Sequence, residues 1–131
     1  MLRGFLVSSV VGLVLVSSVY AGDVEVVAAE FVHSGQSWTV HVTLRHGDTG
    51  WDHYADAWRI VSESGEDLGT RVLYHPHEQE QPFTRSLTAV TIPKSITIVY
   101  IEGHDKVHGW SPNRLRVDLS RDSGEAYKIT R

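Results

Sequence analysis

Histidines are concentrated in three polar stretches, which together hold six of the eight histidines in the chain. The stretches read HGDTGWDHYAD (46–56), HPHEQEQPF (75–83) and EGHDKVHGWSPN (102–113). Neutral imidazole is a good ligand for zinc, copper and nickel, and neighbouring carboxylates can orient the rings. The candidate metal ligands are His53, His75, His77, His104 and His108, and the candidate supporting carboxylates are Asp52, Glu78 and Asp105.

Two histidine pairs have spacings that are compatible with a metal site, although neither spacing is diagnostic of one. His75 and His77 flank Pro76, and in an extended segment both rings can point to the same side. His104 and His108 lie four residues apart, so a turn could present both to one ion. The chain has no cysteine, and its one methionine is the initiator, so soft ligands are missing. Zn(II), Cu(II) or Ni(II) is therefore favoured over Cu(I).

The same stretches support a second hypothesis, because they also contain Trp51, Tyr54 and Trp110. Aromatic side chains often anchor interfaces, so the domain could instead be a non-catalytic module that binds a protein or a small ligand. A third interpretation is structural, with the histidines paired to carboxylates that tie the loops together. The sequence has no nucleophile elbow and no phosphate-binding glycine loop, so no catalytic residue is predicted.

Alternation of apolar and polar residues dominates the rest of the chain. In QSWTVHVTL, Trp38, Val40, Val42 and Leu44 share one face, which is typical of a half-buried strand. Similar patterns predict seven strands, at 23–32, 37–45, 57–63, 68–74, 84–92, 95–101 and 114–119. The expected fold is an all-β, seven-stranded antiparallel sandwich of the immunoglobulin or fibronectin type III kind.

This fold would bring the three histidine-rich stretches together. Consecutive strands of such a sandwich usually run in opposite directions, so alternate connections lie at the same end. The three stretches connect predicted strands two and three, four and five, and six and seven. Loops at one end of a rigid sandwich are a common location for binding sites. The expectation of one three-loop site depends on the strand count.

The first 21 residues have the features of a secretory signal peptide. Arg3 precedes an apolar run, and small residues end it at Ala21. The predicted domain spans 22–120, and 121–131 is a predicted C-terminal tail. Without the signal, eleven basic residues stand against sixteen acidic ones, a net charge of −5 that argues against nucleic-acid binding. The expected location is periplasmic or secreted, without stable membrane insertion, and the expected partner is a metal ion or another periplasmic protein.

Four motifs carry a resemblance to known proteins. They are W-D-H-Y-A-D at 51–56, G-x-x-L-G-x-R-x-L at 65–73, H-P-H-x-x-E-Q-P-F-T-R-S-L at 75–87 and H-D-x-x-H-G-W at 104–110. Together they resemble the pattern of an uncharacterised family of small exported bacterial proteins. The resemblance implies a bacterial periplasmic protein and implies no activity. Its motifs fall largely on the three histidine-rich stretches.

Overall fold

The computed structural model describes Gly4 and residues 22–131, and all regular structure in this part of the chain is β-strand. The predicted signal peptide therefore lies outside the described residues, apart from Gly4. No helical segment among the described residues has the length and apolar character needed to cross a bilayer. The strands are β1 (Glu25–Ser34), β2 (Ser37–Arg45), β3 (Ala55–Ser62), β4 (Asp67–Val72), β5 (Phe83–Val90), β6 (Ile98–Asp105), β7 (Gly109–Trp110), β8 (Leu115–Asp118) and β9 (Tyr127–Thr130).

The strands form two sheets, one of four strands and one of five. The first has the order β5-β2-β1-β9, and the second has the order β4-β3-β6-β7 with β8 also paired to β6. Neighbouring strands are antiparallel except β1 and β9, which are parallel. The tight β1–β2 turn places Gly35 at a φ of 63°, a conformation that glycine adopts without steric cost.

A single apolar core takes side chains from both sheets. Phe31, Val40 and Leu44 come from the four-stranded sheet, and Trp58 and Ile101 come from the five-stranded sheet. All five are fully buried, and each such side chain contributes about 1.5–3 kcal/mol by leaving water. The shared core means that the two sheets cover each other's apolar faces.

The prediction of an all-β fold is confirmed, whereas the strand count differs. The described residues contain nine strands instead of seven, because the two-residue β7 and the C-terminal β9 were not predicted. β9 lies within 121–131, the segment predicted to be a tail, and it pairs with β1.

The sixth strand also starts and ends later than predicted. A turn in which the Ile96 N–H donates to the Pro93 carbonyl occupies the predicted beginning at 95, and β6 runs on to Asp105. His104 and Asp105 are therefore strand residues and do not belong to a loop. This shift matters for the candidate site, because a strand fixes which face each side chain takes.

Candidate metal centre

The three histidine-rich stretches contact one another at one end of the molecule. The His77 N–H, from the β4–β5 loop, donates to Asp48 Oδ2 in the β2–β3 loop at 2.7 Å. The Lys106 N–H, just after β6, donates to the Tyr54 carbonyl in the β2–β3 loop at 3.2 Å. These hydrogen bonds agree with the predicted common end for the three connections.

His46, His53 and Asp105 form a compact cluster at this end. One ligand atom from each residue lies within 4.8 Å of the others. Asp105 Oδ1 is 3.2 Å from His53 Nε2, and Asp105 Oδ2 is 3.7 Å from His46 Nε2. Asp105 is 0% exposed and His46 is 3% exposed, so the cluster lies inside the protein.

Asp105 also belongs to a second group, formed with Asp23 and His108, whose ligand atoms again lie within 4.8 Å of one another. His108 Nδ1 is 3.2 Å from each oxygen of the Asp105 carboxylate. Asp23 and His108 are exposed, so this second group faces solvent. Asp105 is thus shared by a buried group and an exposed one.

Strand periodicity explains why His46 and Asp105 point inward. His46 directly follows β2 and continues the inward series of Val42 and Leu44. Asp105 ends β6 and continues the inward series of Ile101 and Gly103. Both polar side chains therefore extend the two inner faces of the sandwich beyond the apolar core.

Asp48 holds His46 in position. His46 Nδ1 is 2.5 Å from Asp48 Oδ1, and His46 Nε2 is 2.9 Å from the Gly22 carbonyl oxygen. Burial acts to lower the pKa of His46, but the hydrogen bond to Asp48, the charges of Asp48 and Asp105 and the Gly22 carbonyl raise it above 6.5. The Asp48 carboxylate and the Gly22 carbonyl are both acceptors, so both hydrogen bonds form at once only when His46 is an imidazolium.

Both buried carboxylates have lowered pKa values. Burial acts to raise the pKa of Asp48, but hydrogen bonds from His46 and from the N–H groups of His77 and Ala55 lower it below 3.8. Burial acts in the same way on Asp105, whose pKa is lowered by backbone N–H groups and by neighbouring histidines. Both carboxylates are therefore ionised at neutral pH.

His53 leaves a polar atom without a hydrogen bond. Its Nε2 is buried and finds no hydrogen-bond partner within residues 22–131, although it is close to Asp105. Buried polar atoms are nearly always hydrogen-bonded, so an exception needs an explanation. Two ligands of a tetrahedral zinc ion, each about 2.0–2.2 Å from the metal, lie about 3.4 Å apart. The 3.2 and 3.7 Å separations from Asp105 fall on either side of this value.

His75 and His77 lie outside the cluster. His75 is exposed, and its Nδ1 lies 3.2 Å from the Pro76 carbonyl oxygen. His77 is buried and stacks on Phe83 with ring centroids 4.1 Å apart. Burial lowers the pKa of His77 below 6.5, with further lowering by the charges of Arg85 and His75. Within the described part of the chain, neither ring nitrogen of His77 has a hydrogen-bond partner.

His104 is also separate from the cluster, because its position on β6 turns it to the opposite face from Asp105. Its Nδ1 is 2.5 Å from Asp56 Oδ1, and its ring packs edge-on against Trp110 at 4.8 Å. The Arg59 guanidinium lies 3.8 Å above the Trp110 ring centroid. The structure thus brings together His53, His108 and Asp105 of the predicted residues and leaves the other three histidines apart.

The remaining predicted residues occupy different environments. Asp52 and Glu78 are exposed. Trp51 is 67% exposed, whereas Tyr54 is buried and contacts Trp51 edge-on at 5.8 Å. Of the three predicted aromatic anchors, Trp51 is the one that presents most of its surface to solvent.

The sequence analysis did not select His46 and Asp23 as candidate ligands, or Asp48 as the hydrogen-bond partner of His46. For His46 a signal was present, because it continues the inward alternation of β2 by one step. No sequence pattern pointed to Asp23, because it precedes β1. Its place beside the cluster follows from the burial of the next residue, Val24.

The chain is similar in sequence to a known protein. The chain is 42% identical over 92 residues to a protein of Halomicrobium mukohataei described as "Putative lipoprotein". The match covers 70% of this chain and 45% of that protein, so the chain spans about half the length of this relative. No protein family description matches the chain. No solved structure matches it either. The similarity indicates that this chain is one of a set of related proteins. The four-motif pattern at 51–110 is not tested by this comparison and stays a prediction.

Proposed function

We propose that this is an exported protein whose domain binds a transition-metal ion through His46, His53 and Asp105. The observation that carries the proposal is the convergence of ligand atoms from His46, His53 and Asp105 within 4.8 Å, where the buried His53 Nε2 lies 3.2 Å from Asp105 Oδ1 without forming a well-aligned hydrogen bond. A metal ion at this point would be coordinated by the otherwise unsatisfied nitrogen and by the carboxylate.

The donor set favours zinc, copper(II) or nickel, because it consists of two imidazole nitrogens and one carboxylate oxygen. Asp48 would act behind His46 as the carboxylate that orients a ligating imidazole and increases its basicity. On metal binding, His46 Nε2 would release its proton and its hydrogen bond to Gly22.

Charge balance supports a divalent ion. Asp48 and Asp105 are buried and ionised, and the imidazolium of His46 offsets part of their charge until metal binding removes its proton. Buried charge that is not compensated is costly. With His46 and His53 neutral, one divalent ion would offset both carboxylates.

Export and a fibronectin type III-like fold complete the proposal. The relative's description as "Putative lipoprotein" and the signal-like residues 1–21 support export to the periplasm or the exterior. The strand order supports the fold, because β1 and β2 lie in one sheet, β3 and β4 in the other, β5 returns beside β2 and β6 returns beside β3. That alternation between sheets is the Greek-key connection of such sandwiches.

The direct test is metal analysis of the protein purified without a tag from the exported fraction. Elemental analysis and calorimetric titration with zinc, copper(II) and nickel should detect binding at micromolar concentration. His53→Ala should abolish binding at the buried group, whereas the matched control His75→Ala should leave it unchanged, because His75 is exposed and outside the cluster. Absence of binding of all three metals by the wild-type protein would reject the proposal.

A second candidate function is protein binding at the same end, and exposed apolar side chains favour it. Trp51, Val72, Tyr74 and Val107 are 67%, 44%, 74% and 60% exposed. All four lie in or beside the three connections, where Trp51 would serve as the aromatic anchor. Under this function, Trp51→Ala would weaken binding to a partner and leave the affinity for metal unchanged.

A further inference from the structure

We propose that the centre holds two metal ions bridged by Asp105, with an outer ion bound by Asp23, Asp105 and His108. This inference rests on the proposed function, because the inner ion of His46 and His53 shares Asp105 with the outer one. The observation behind it is that Asp105 belongs to both groups of closely spaced ligand atoms.

The Asp105 carboxylate lies between the ligand atoms of both groups. Oδ1 is 3.2 Å from His53 Nε2, and Oδ2 is 3.7 Å from His46 Nε2. His108 Nδ1 is 3.2 Å from both oxygens. The rings of His53 and His108 are neighbours, with centroids 5.1 Å apart. A carboxylate that binds one ion through each oxygen holds the ions about 3.5–4 Å apart, the usual spacing of two-metal sites.

The backbone that follows Asp23 is held in place, although the Asp23 side chain is exposed. The next residue, Val24, is fully buried. Val24 packs where Gly103 has no side chain: a Cβ added to Gly103 would lie 2.4 Å from Val24 Cγ1. This close contact anchors the N-terminal segment against β6 and keeps Asp23 beside Asp105.

The outer group has a different ligand preference from the inner one. Two carboxylates and one imidazole add manganese to the ions that suit the outer group, whereas the two imidazoles of the inner group favour nickel; zinc and copper(II) suit both groups. The outer ligands Asp23 and His108 are exposed, so the outer ion should bind more weakly and exchange faster with solvent.

The test is the zinc stoichiometry of the exported protein, measured by competition with a chromophoric chelator. The wild-type protein should bind two equivalents. The double variant Asp23→Asn/His108→Ala should lose the weaker equivalent, and His53→Ala should lose the tighter one. Asp105→Asn should weaken both. The matched control Asp52→Asn, which removes an exposed aspartate at the same end, should keep two equivalents.

A spectroscopic measurement separates bridged ions from two independent ones. Protein loaded with two equivalents of copper(II) should show a magnetically coupled resonance spectrum, and the Asp23→Asn/His108→Ala variant should show the spectrum of an isolated ion. If the wild-type protein binds one tight equivalent of zinc, and the Asp23→Asn/His108→Ala variant binds it equally well, the two-ion inference is overturned and the proposed function stays intact. Binding of no zinc would overturn both. Two bound copper(II) ions without magnetic coupling would overturn the inference that Asp105 bridges them.

Discussion

Replacing Asp48 with alanine should strongly destabilise the fold, because this fully buried side chain connects two loops and a strand. Its oxygens accept hydrogen bonds from the N–H groups of His77 at 2.7 Å and Ala55 at 3.0 Å, and from His46 Nδ1 at 2.5 Å. The side chains of Asp48 and His46 are both 0% exposed, so these contacts are shielded from water in the folded protein.

The size of the effect follows from these contacts. Each buried N–H left without a partner costs about 1–3 kcal/mol, and removal of one member of a buried ion pair costs about 3–5 kcal/mol. These two costs overlap, because the N–H bonds help to stabilise the same charge. We therefore expect a loss of about 3–5 kcal/mol from the free energy of unfolding. With a urea m-value of about 2 kcal/mol/M, the unfolding midpoint should fall by about 2 M.

Urea unfolding, followed by the fluorescence of the tryptophans, measures this loss, since Trp58 is fully buried in the core. The titration should contain a chelator, because a metal that binds only the folded state would raise the apparent stability. Asp52→Ala is the matched control, and this exposed position should change stability by less than about 0.5 kcal/mol. A loss below about 1 kcal/mol for Asp48→Ala would show that Asp48 does not hold the loops together.

Three further predictions concern pH and packing. Zinc affinity should fall as pH drops through the raised pKa of His46, so calorimetry should detect the decline already above about pH 6.5, because a proton competes for Nε2. His77 has a lowered pKa in the folded protein, so as pH drops below 6.5 the unfolded chain binds a proton first and the free energy of unfolding falls. In urea titrations, His77→Leu should remove the part of this fall that is due to His77, and it should leave zinc affinity unchanged. Gly103→Ala should cost about 1–3 kcal/mol in the same unfolding assay through its clash with Val24, and Gly103→Ala should also weaken the outer zinc equivalent.

Much of the fold could be predicted because strand patterns are local. The alternation in β2 identified Val40, Val42 and Leu44 as an inward face, and all three are fully buried. β7 and β9 could not be found in this way. A two-residue strand such as Gly109–Trp110 has no measurable period, and β9 depends on parallel pairing with a strand about a hundred residues earlier in the sequence.

The location of the candidate site could be predicted more reliably than its ligands. Histidine density pointed to the end of the sandwich where the three connections meet. Within a loop, however, sequence spacing does not determine where a side chain points. His75 and His77 are two residues apart, yet one is exposed and the other is buried against Phe83.

The two buried candidate ligands that extend from strands obey the same rule as the core. Val42 and Leu44 lead by steps of two to His46, and Ile101 and Gly103 lead by steps of two to Asp105. Each row of inward side chains thus ends in a polar group, and the sheets bring the two ends within 3.7 Å of each other. An ionisable residue that continues the apolar phase of a strand beyond its end is therefore turned inward by the sheet, whereas the direction of a loop histidine is not fixed by its neighbours in the sequence. In this chain the alternation of β2 selects His46 as a candidate ligand, whereas the spacing of the histidines alone did not select it.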